Sequence, residues 1–238
     1  MAVFQAFRAL RPVPDKAEAV AALPYDVVSR EEAKEIGHQN PDSFLHVDRA
    51  EIDLPADTDL YDQKVYDRAR ENLINMEKNG ILVQDGAPCY YIYELTRKGK
   101  TQTGLVGCCS IDDYMNGVVK KHELTREDKE QDRIHHVDVC DANTGPIYLA
   151  CKYPQELLDL METWKASHDA VYDFVAEDEI GHRVWVIDGK AEKKVIAEQF
   201  GNIPSIYIAD GHHRAASAVK VGLKRREEHP DYEGSEEF

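Results

Sequence analysis

The spacing of apolar residues divides the chain into short strands and amphipathic helices. The clearest helix is predicted over residues 59–79, where apolar side chains recur mostly three to five positions apart, at Leu60, Val65, Tyr66, Ala69, Leu73, Ile74 and Met76. Asn79-Gly80 follows and is typical of a helix C-terminus. A second helix is predicted after Ser29, because Ser29 and Glu32 have the spacing of a capping box, and Gly37 is expected to end it.

Runs of β-branched and aromatic residues predict strands between these helices. Residues 89–95 and 101–111 flank a polar turn and predict a β-hairpin, and residues 43–47 also predict a strand. The second half of the chain predicts strands at 145–151, 170–176, 183–188 and 205–209, with helices at 154–164 and 191–200. This alternation indicates a mixed α/β fold.

Residues 121–136, KHELTREDKEQDRIHH, carry charge at nearly every position and have few apolar side chains. The simplest interpretation is a solvated helix stabilised by ion pairs four residues apart. The alternative is that the cations of this segment contact a ligand.

The overall charge narrows the classes of partner. The chain has 238 residues, with 29 Lys+Arg against 45 Asp+Glu, a formal net charge of −16. Such a surface repels a nucleic-acid backbone, so nucleic-acid binding is not expected. A small phosphorylated ligand stays possible, because a few backbone N–H groups and one or two cations can bind it.

The composition also predicts a compartment and a domain organisation. No signal peptide or long apolar run is apparent, so we expect a cytoplasmic protein without a membrane partner. The five cysteines show no CxxC spacing and are expected to be buried, reduced thiols. We predict one mixed α/β unit over 1–238, and a division of it into an N-terminal lobe 1–118 and a nucleotide-binding lobe 119–230 is the alternative. The polar end of the chain, residues 231–238, suggests an N-terminal fragment of a longer protein.

The most informative segment is residues 203–219, IPSIYIADGHHRAASAV. A β run reaches a tight turn at Asp210-Gly211 and passes directly into an alanine-rich helix. Free N–H groups at the helix start and the cation of Arg214 would then point to the same position. This arrangement is typical of a phosphate-binding site. A zinc ion shared by His212 and His213 is not favoured, because adjacent side chains on a helix diverge by roughly 100°.

Several blocks together carry a family resemblance. IADGHHRAASA, PYDVVSREEA, NPDSFLHV, KKHELTREDKEQDR and ANTGPIYLA occur across essentially the whole chain. With these blocks the chain resembles the bacterial family catalogued as domain of unknown function ten-fifteen. That family looks like a distant member of the ParB/sulfiredoxin superfamily, whose free-serine kinases carry a very similar DGHHR turn.

The resemblance implies a ParB/sulfiredoxin-like nucleotide-binding domain embedded in a larger mixed-sheet protein. It implies ATP or ADP and Mg²⁺ as cofactors, bound in the region of Asp210, Gly211, His212, His213 and Arg214, with Asp210 as the metal ligand. Lys121, His122 and Arg133 match the family's middle block and are further candidates for cofactor binding. Sulfiredoxin chemistry is not expected, because His212-His213 stands where that enzyme needs a cysteine.

Phosphoryl transfer also needs a carboxylate that orients the acceptor hydroxyl. Asp26, in a loop that the resemblance places near the cleft, is the first choice, and Glu123 is the alternative. The predicted activity is therefore that of a small-molecule kinase acting on a hydroxylated metabolite, with free L-serine as the first guess. A nucleotide-sensing module without turnover and a nucleotide hydrolase that acts as a switch remain the alternatives.

Overall fold

The computed structural model describes residues 1–232. The strands are β1 (Phe4–Gln5), β2 (Leu10–Pro12), β3 (Leu82–Gln84), β4 (Tyr90–Arg97), β5 (Lys100–Val106), β6 (Cys108–Cys109), β7 (Val119–Lys120), β8 (Tyr148–Ala150), β9 (Tyr172–Val175), β10 (Gly181–Ile187) and β11 (Ile206–Asp210). The helices are α1 (Ala17–Val20), α2 (Arg30–Gln39), α3 (Leu45–Asp48), α4 (Gln63–Lys78), α5 (Ile111–Met115), α6 (Glu127–Cys140), α7 (Gln155–Ser167), α8 (Lys190–Gly201) and α9 (His212–Glu228), with 3-10 turns at Pro14–Lys16 and Ala50–Asp53. The protein is therefore mixed α/β, as predicted.

The chain forms two compact units, and each is assembled from three separate segments. Unit 1 consists of Met1–Ala21, Asn79–Val119 and Cys151–Ile206. Unit 2 consists of Ala22–Lys78, Lys120–Ala150 and the chain from Tyr207 onward. One of the segment boundaries falls at residues 119 and 120. The division into lobes 1–118 and 119–230 stays a prediction.

Unit 1 is organised around a four-stranded antiparallel sheet in the order β5-β4-β10-β9. The predicted hairpin is confirmed as β4 and β5, and its turn places Lys98 and Gly99 at φ 49° and 73°. Ile92 and Trp185 face each other across β4 and β10 and are both buried. The helices α7 and α8 pack together in this unit, and Trp164 of α7 donates its indole N–H to the Val186 carbonyl at 3.0 Å. Unit 1 therefore has the apolar sheet core that its sequence pattern predicts.

Unit 2 is mainly helical. The helix α4 packs against α3 and α6, and α6 packs against α9. A small sheet in the order β7-β11-β8 has β11 at its centre, and β11 and β8 run antiparallel with an irregularity between Ile208 and Asp210. The central strand β11 leads directly into α9, so this sheet fixes where α9 begins.

Two local predictions in unit 2 are wrong. Residues 43–47 do not form a strand, because His46 N–H bonds the Ser43 carbonyl and the Ser43 hydroxyl accepts from Leu45 N–H, which starts α3. Gly37 does not end α2, which runs on to Gln39 from the confirmed Ser29 capping box. A Cβ on Gly37 would lie 2.6 Å from Ile52, so the residue is small because the 3-10 turn packs against it.

Two further expectations are corrected by burial. The helix α6 is not simply solvated, because Glu130, Arg133, His136 and Cys140, three or four positions apart, form one buried face. The cysteines are free thiols, but not all are buried, since Cys108 is exposed. Within residues 1–232, no helix combines the length and the apolar character that crossing a membrane requires.

Candidate functional site

The turn between β11 and α9 has a backbone conformation that favours glycine. Gly211 occupies the N-cap position of α9 with φ 88° and ψ 34°, in the left-handed region. A Cβ at this position would also lie 3.1 Å from Nε of Arg214. Glycine removes both the conformational cost and the clash, so the tight turn predicted at Asp210-Gly211 is confirmed.

The first turn of α9 presents backbone donors without a side-chain cap. The first helical hydrogen bond runs from Ala215 N–H to the Gly211 carbonyl at 2.9 Å. Gly211 has no side chain to accept from the N–H groups that precede this bond, and no side-chain cap forms at this end of the helix. In a helix of 17 residues these groups carry the positive end of the helix dipole. The local geometry suits an anion.

Arg214 extends across this turn. Its Nη1 donates to the Pro146 carbonyl at 2.5 Å, and its Nη2 pairs with Oδ2 of Asp210 at 2.7 Å. The Arg214 side chain is 19% exposed, whereas that of Asp210 is 72% exposed. A Cβ on Gly145 would lie 3.3 Å from Cδ of Arg214, so two glycines, at 145 and 211, leave room for the guanidinium. A cation thus lies beside the helix start, held by the Pro146 carbonyl and by one exposed carboxylate.

His212 is buried beside two residues of the charged segment. Its side chain is 5% exposed, with Nδ1 lying 3.5 Å from Oε2 of Glu123 and the ring edge-on to His122 at 4.5 Å between centroids. In the part of the chain that the structure describes, Nε2 of His212 has no hydrogen-bond partner. Leaving a buried polar atom without a partner costs about 1–3 kcal/mol, so such atoms are rare in folded proteins. This atom therefore points to a bound water or ligand.

The two adjacent histidines face different partners. Nε2 of His213 accepts from the backbone N–H of Arg126 at 3.1 Å, so the proton of this imidazole lies on Nδ1. His212 instead faces His122 and Glu123. Among the 232 described residues, no cluster of three or more His, Cys, Asp or Glu side chains could hold a metal ion. Asp210, the predicted metal ligand, keeps an exposed carboxylate at this turn.

The loop that carries Asp26 is anchored through Tyr25. The Tyr25 ring lies under the guanidinium of Arg133 at 4.2 Å. Burial raises the pKa of the Tyr25 hydroxyl, and the nearby charge of Asp26 raises it further, while Arg133 and Arg214 act in the opposite direction. Asp26 and Arg214 therefore both lie within electrostatic range of the Tyr25 hydroxyl. Asp26 itself is exposed.

Arg133 is buried rather than available at the surface. It pairs with the neighbouring Asp132 at 2.9 Å, and both side chains are about one-tenth exposed (10% and 11%). The hydroxyl of Tyr66 donates to the same carboxylate at 3.0 Å. Lys121, in contrast, is exposed at the start of the charged segment. The candidates of this segment therefore divide into a buried group on α6 and exposed groups before it.

Besides the Asp210–Arg214 pair, the structure places candidate residues in two groups within unit 2. One group contains Glu123 with His122 and His212, and the other contains Asp26, whose neighbour Tyr25 contacts Arg133. Sequence reasoning missed the Pro146 carbonyl as a partner of Arg214, although Gly145-Pro146 lies in one of the recognised blocks. It also missed Arg49, whose side chain contacts the loop that carries Asp26 and which no motif indicated.

The chain matches the family described as "Protein of unknown function (DUF1015)" over residues 4–238. It belongs to this family. No curated protein and no solved structure matches the chain.

Proposed function

We propose that unit 2 binds the phosphates of a purine nucleotide, ATP or ADP, with magnesium and transfers one phosphoryl group to a small hydroxylated metabolite, free L-serine being the first candidate. The observation that carries the proposal is the uncapped start of α9 at Gly211, next to Arg214 and the unpartnered Nε2 of His212. In this proposal the strand, turn and helix are a ParB/sulfiredoxin-like nucleotide-binding element, and the protein works in the cytoplasm.

In the proposed site, phosphate binding changes the hydrogen-bond partners of Arg214 and Asp210. A phosphate oxygen at the start of α9 competes with Asp210 for Nη2 of Arg214, while Nη1 keeps its bond to Pro146. The carboxylate of Asp210 is then released beside the phosphate. Magnesium supplies charge neutralisation on the transferring group, and Asp210 with phosphate oxygens would hold it, since this ion takes one or two carboxylates plus substrate phosphates.

The proposed transfer needs one protein group for proton transfer. The acceptor hydroxyl oxygen bonds to the terminal phosphorus, the bond from that phosphorus to its bridging oxygen breaks, and the nucleotide leaves one phosphate shorter. The hydroxyl proton passes to a carboxylate and then to solvent. Asp26 is the first choice because it is exposed on an anchored loop near Arg133. Glu123 is the alternative, because it lies beside His212.

Removing the Arg214 guanidinium tests the binding step. A charge-assisted hydrogen bond contributes about 1.5–3 kcal/mol, so Arg214→Ala is expected to weaken nucleotide binding roughly ten- to a hundredfold in calorimetry with magnesium. Arg183→Ala is the matched control, because it removes an arginine that pairs with Asp173 in unit 1. Equal affinities in wild type and Arg214→Ala would contradict the proposed phosphate site.

Neutralising each carboxylate tests the transfer step. If Asp26 accepts the proton, Asp26→Asn is expected to lower turnover by about 10²–10⁴ while nucleotide affinity changes only a few-fold. Glu123→Gln provides the comparison, and Asp57→Asn, another exposed carboxylate of unit 2, provides the control. Phosphorylated product is measured with serine and a panel of small alcohols. Nucleotide loss without an acceptor would indicate a hydrolase, and binding without any turnover would indicate a sensor.

A further inference from the structure

The main chain on both sides of Asp26 is bound by one side chain, that of Arg49, which is 15% exposed. Nη1 of Arg49 donates to the Tyr25 carbonyl at 2.8 Å and to the Val28 carbonyl at 2.5 Å. These two carbonyls bracket Asp26 and Val27. A loop is usually the most mobile part of a fold, so a single donor that bonds both of its ends restricts the positions that Asp26 can take.

Arg49 is itself held in place. Its Nε donates to Oε1 of Glu51 at 2.7 Å, and the two side chains are 15% and 6% exposed. Arg49 ends α3, with its backbone N–H bonded to the Leu45 carbonyl at 2.8 Å. Arg49 is therefore held both at its backbone and at its guanidinium. The two loop carbonyls are bonded to a group whose position is restricted.

Other contacts hold the same loop. Val28 packs in a small buried cluster with Ala33, Leu45 and Ile52. The N–H of Val27 closes a turn onto the Pro24 carbonyl at 3.1 Å. With the Tyr25 ring against Arg133, contacts thus hold the main chain on both sides of Asp26, while the Asp26 side chain is exposed.

Stability alone does not explain the Arg49–Glu51 pair, in which Glu51 is buried and Arg49 is largely shielded from solvent. Replacing a buried ion pair with apolar side chains of similar size is often neutral or stabilising, because both charges lose their hydration on burial. An apolar pair could not bond the two carbonyls. What the guanidinium adds is directional hydrogen bonding to the loop, and its planar fork serves Glu51 and the carbonyls at once, which a lysine cannot do.

We infer that Arg49 is a positioning residue, which fixes the main chain around Asp26 so that the carboxylate meets the acceptor hydroxyl in the geometry that transfer requires. The inference rests on the proposed function. Arg49 touches neither nucleotide nor acceptor in this role, and it acts through Asp26. Its removal therefore affects the transfer step and leaves nucleotide affinity within a few-fold.

The test is a double-mutant cycle between Arg49 and Asp26, measured as kcat for phosphotransfer and as the dissociation constant for nucleotide. Misplacing a reacting group by 1 Å can cost about 10²-fold, so Arg49→Lys is expected to lower kcat by about that factor. In the Asp26→Asn background the same substitution is expected to lower kcat less than threefold further, because the group it positions is already lost. If Arg49→Lys does not fold, Glu51→Gln loosens the same guanidinium and replaces it in the cycle.

Arg11→Lys is the matched control, because Arg11 is an arginine of similar exposure (19%) that pairs with Asp85 in unit 1. It is expected to leave kcat unchanged. Full kcat in Arg49→Lys, or losses that multiply in the double variant, would overturn the positioning role and leave the proposed function standing. A wild-type protein without phosphotransfer to any acceptor would instead overturn the proposed function, and the role of Arg49 with it.

Discussion

Unit 1 and unit 2 bury different kinds of side chain. Among residues 1–232, the buried polar and charged side chains of unit 1 are Glu94 and Asp113, whereas those of unit 2 are Ser43, Glu51, Glu130, Arg133, His136, His212 and Ser217. Burying a polar group costs free energy unless it gains a hydrogen bond. Unit 1 therefore depends mainly on apolar burial, and unit 2 depends on a network that its polar groups must complete.

The buried polar groups of unit 1 are partnered. Glu94 binds Lys165 at 3.0 Å, and Asp113 accepts from the backbone N–H of Val3 at 2.6 Å. In the chain up to residue 232, the buried side-chain atoms that lack a partner are Nε of Arg68 and Nε2 of His212, and both belong to unit 2. Unit 2 is therefore the unit with buried polar atoms that could still bind a ligand.

The largest expected effect is on the apolar core of unit 1. Trp185 is 2% exposed, so Trp185→Ala is expected to lower the free energy of unfolding by about 3–5 kcal/mol, measured by urea denaturation. Trp185→Phe keeps most of the apolar area and is expected to cost less. A loss below 1 kcal/mol for the alanine variant would mean that unit 1 does not depend on this core.

A smaller effect is expected from breaking the polar interior of unit 2. Arg133→Met removes the ion-pair partner of the largely shielded Asp132 carboxylate and leaves it the hydrogen bond from Tyr66, so a loss of about 2–3 kcal/mol is expected. The double variant Asp132→Asn/Arg133→Met removes the unpaired charge and is expected to recover part of this loss. Equal stability of the single and double variants in thermal unfolding would contradict the assignment of the cost to Asp132.

The smallest effect depends on pH. In unit 2, Nδ1 and Nε2 of His46 face Asp53 at 2.8 Å and the Gly37 carbonyl at 3.1 Å. The bond to Asp53 raises the pKa of His46 above its ordinary value of 6.5, although burial opposes this. Its contribution is therefore complete below pH 6.5 and is lost as the pH rises through the raised value. His46→Gln is expected to cost about 1 kcal/mol at low pH and less at pH 8.

His182 in unit 1 provides the opposite control. Burial between Tyr93 and Phe174 lowers the pKa of His182 below 6.5, so its contribution is present above pH 6.5 and is lost as the pH falls through the lowered value. His182→Gln should then cost more at pH 8 than at pH 5, in chemical denaturation at each pH. The same sign of pH dependence in both variants would show that the two histidines do not differ in this way.

The same contrast explains what could be predicted from the sequence. The β4–β5 hairpin of unit 1 was predictable, because runs of β-branched and aromatic residues around a polar turn describe a half-buried sheet. The buried face of α6 was not, because Glu130, Arg133 and His136 read as solvent-facing side chains until their partners are known. The Gly211 turn was predictable, because its left-handed backbone conformation favours glycine. The hydrogen bonds from Arg49 to residues 25–28 were not, because they join positions far apart in sequence.

The central position of β11 determines when the candidate site can form during synthesis. The strands β7 and β8 emerge from the ribosome first, but each borders β11 and neither borders the other. The small sheet of unit 2 therefore stays unformed until residues 206–210 have been translated, and α9 with its Gly211 turn follows immediately. A nascent chain halted before this point would hold the complete β4–β5 hairpin, yet it could not bind a ligand at the turn.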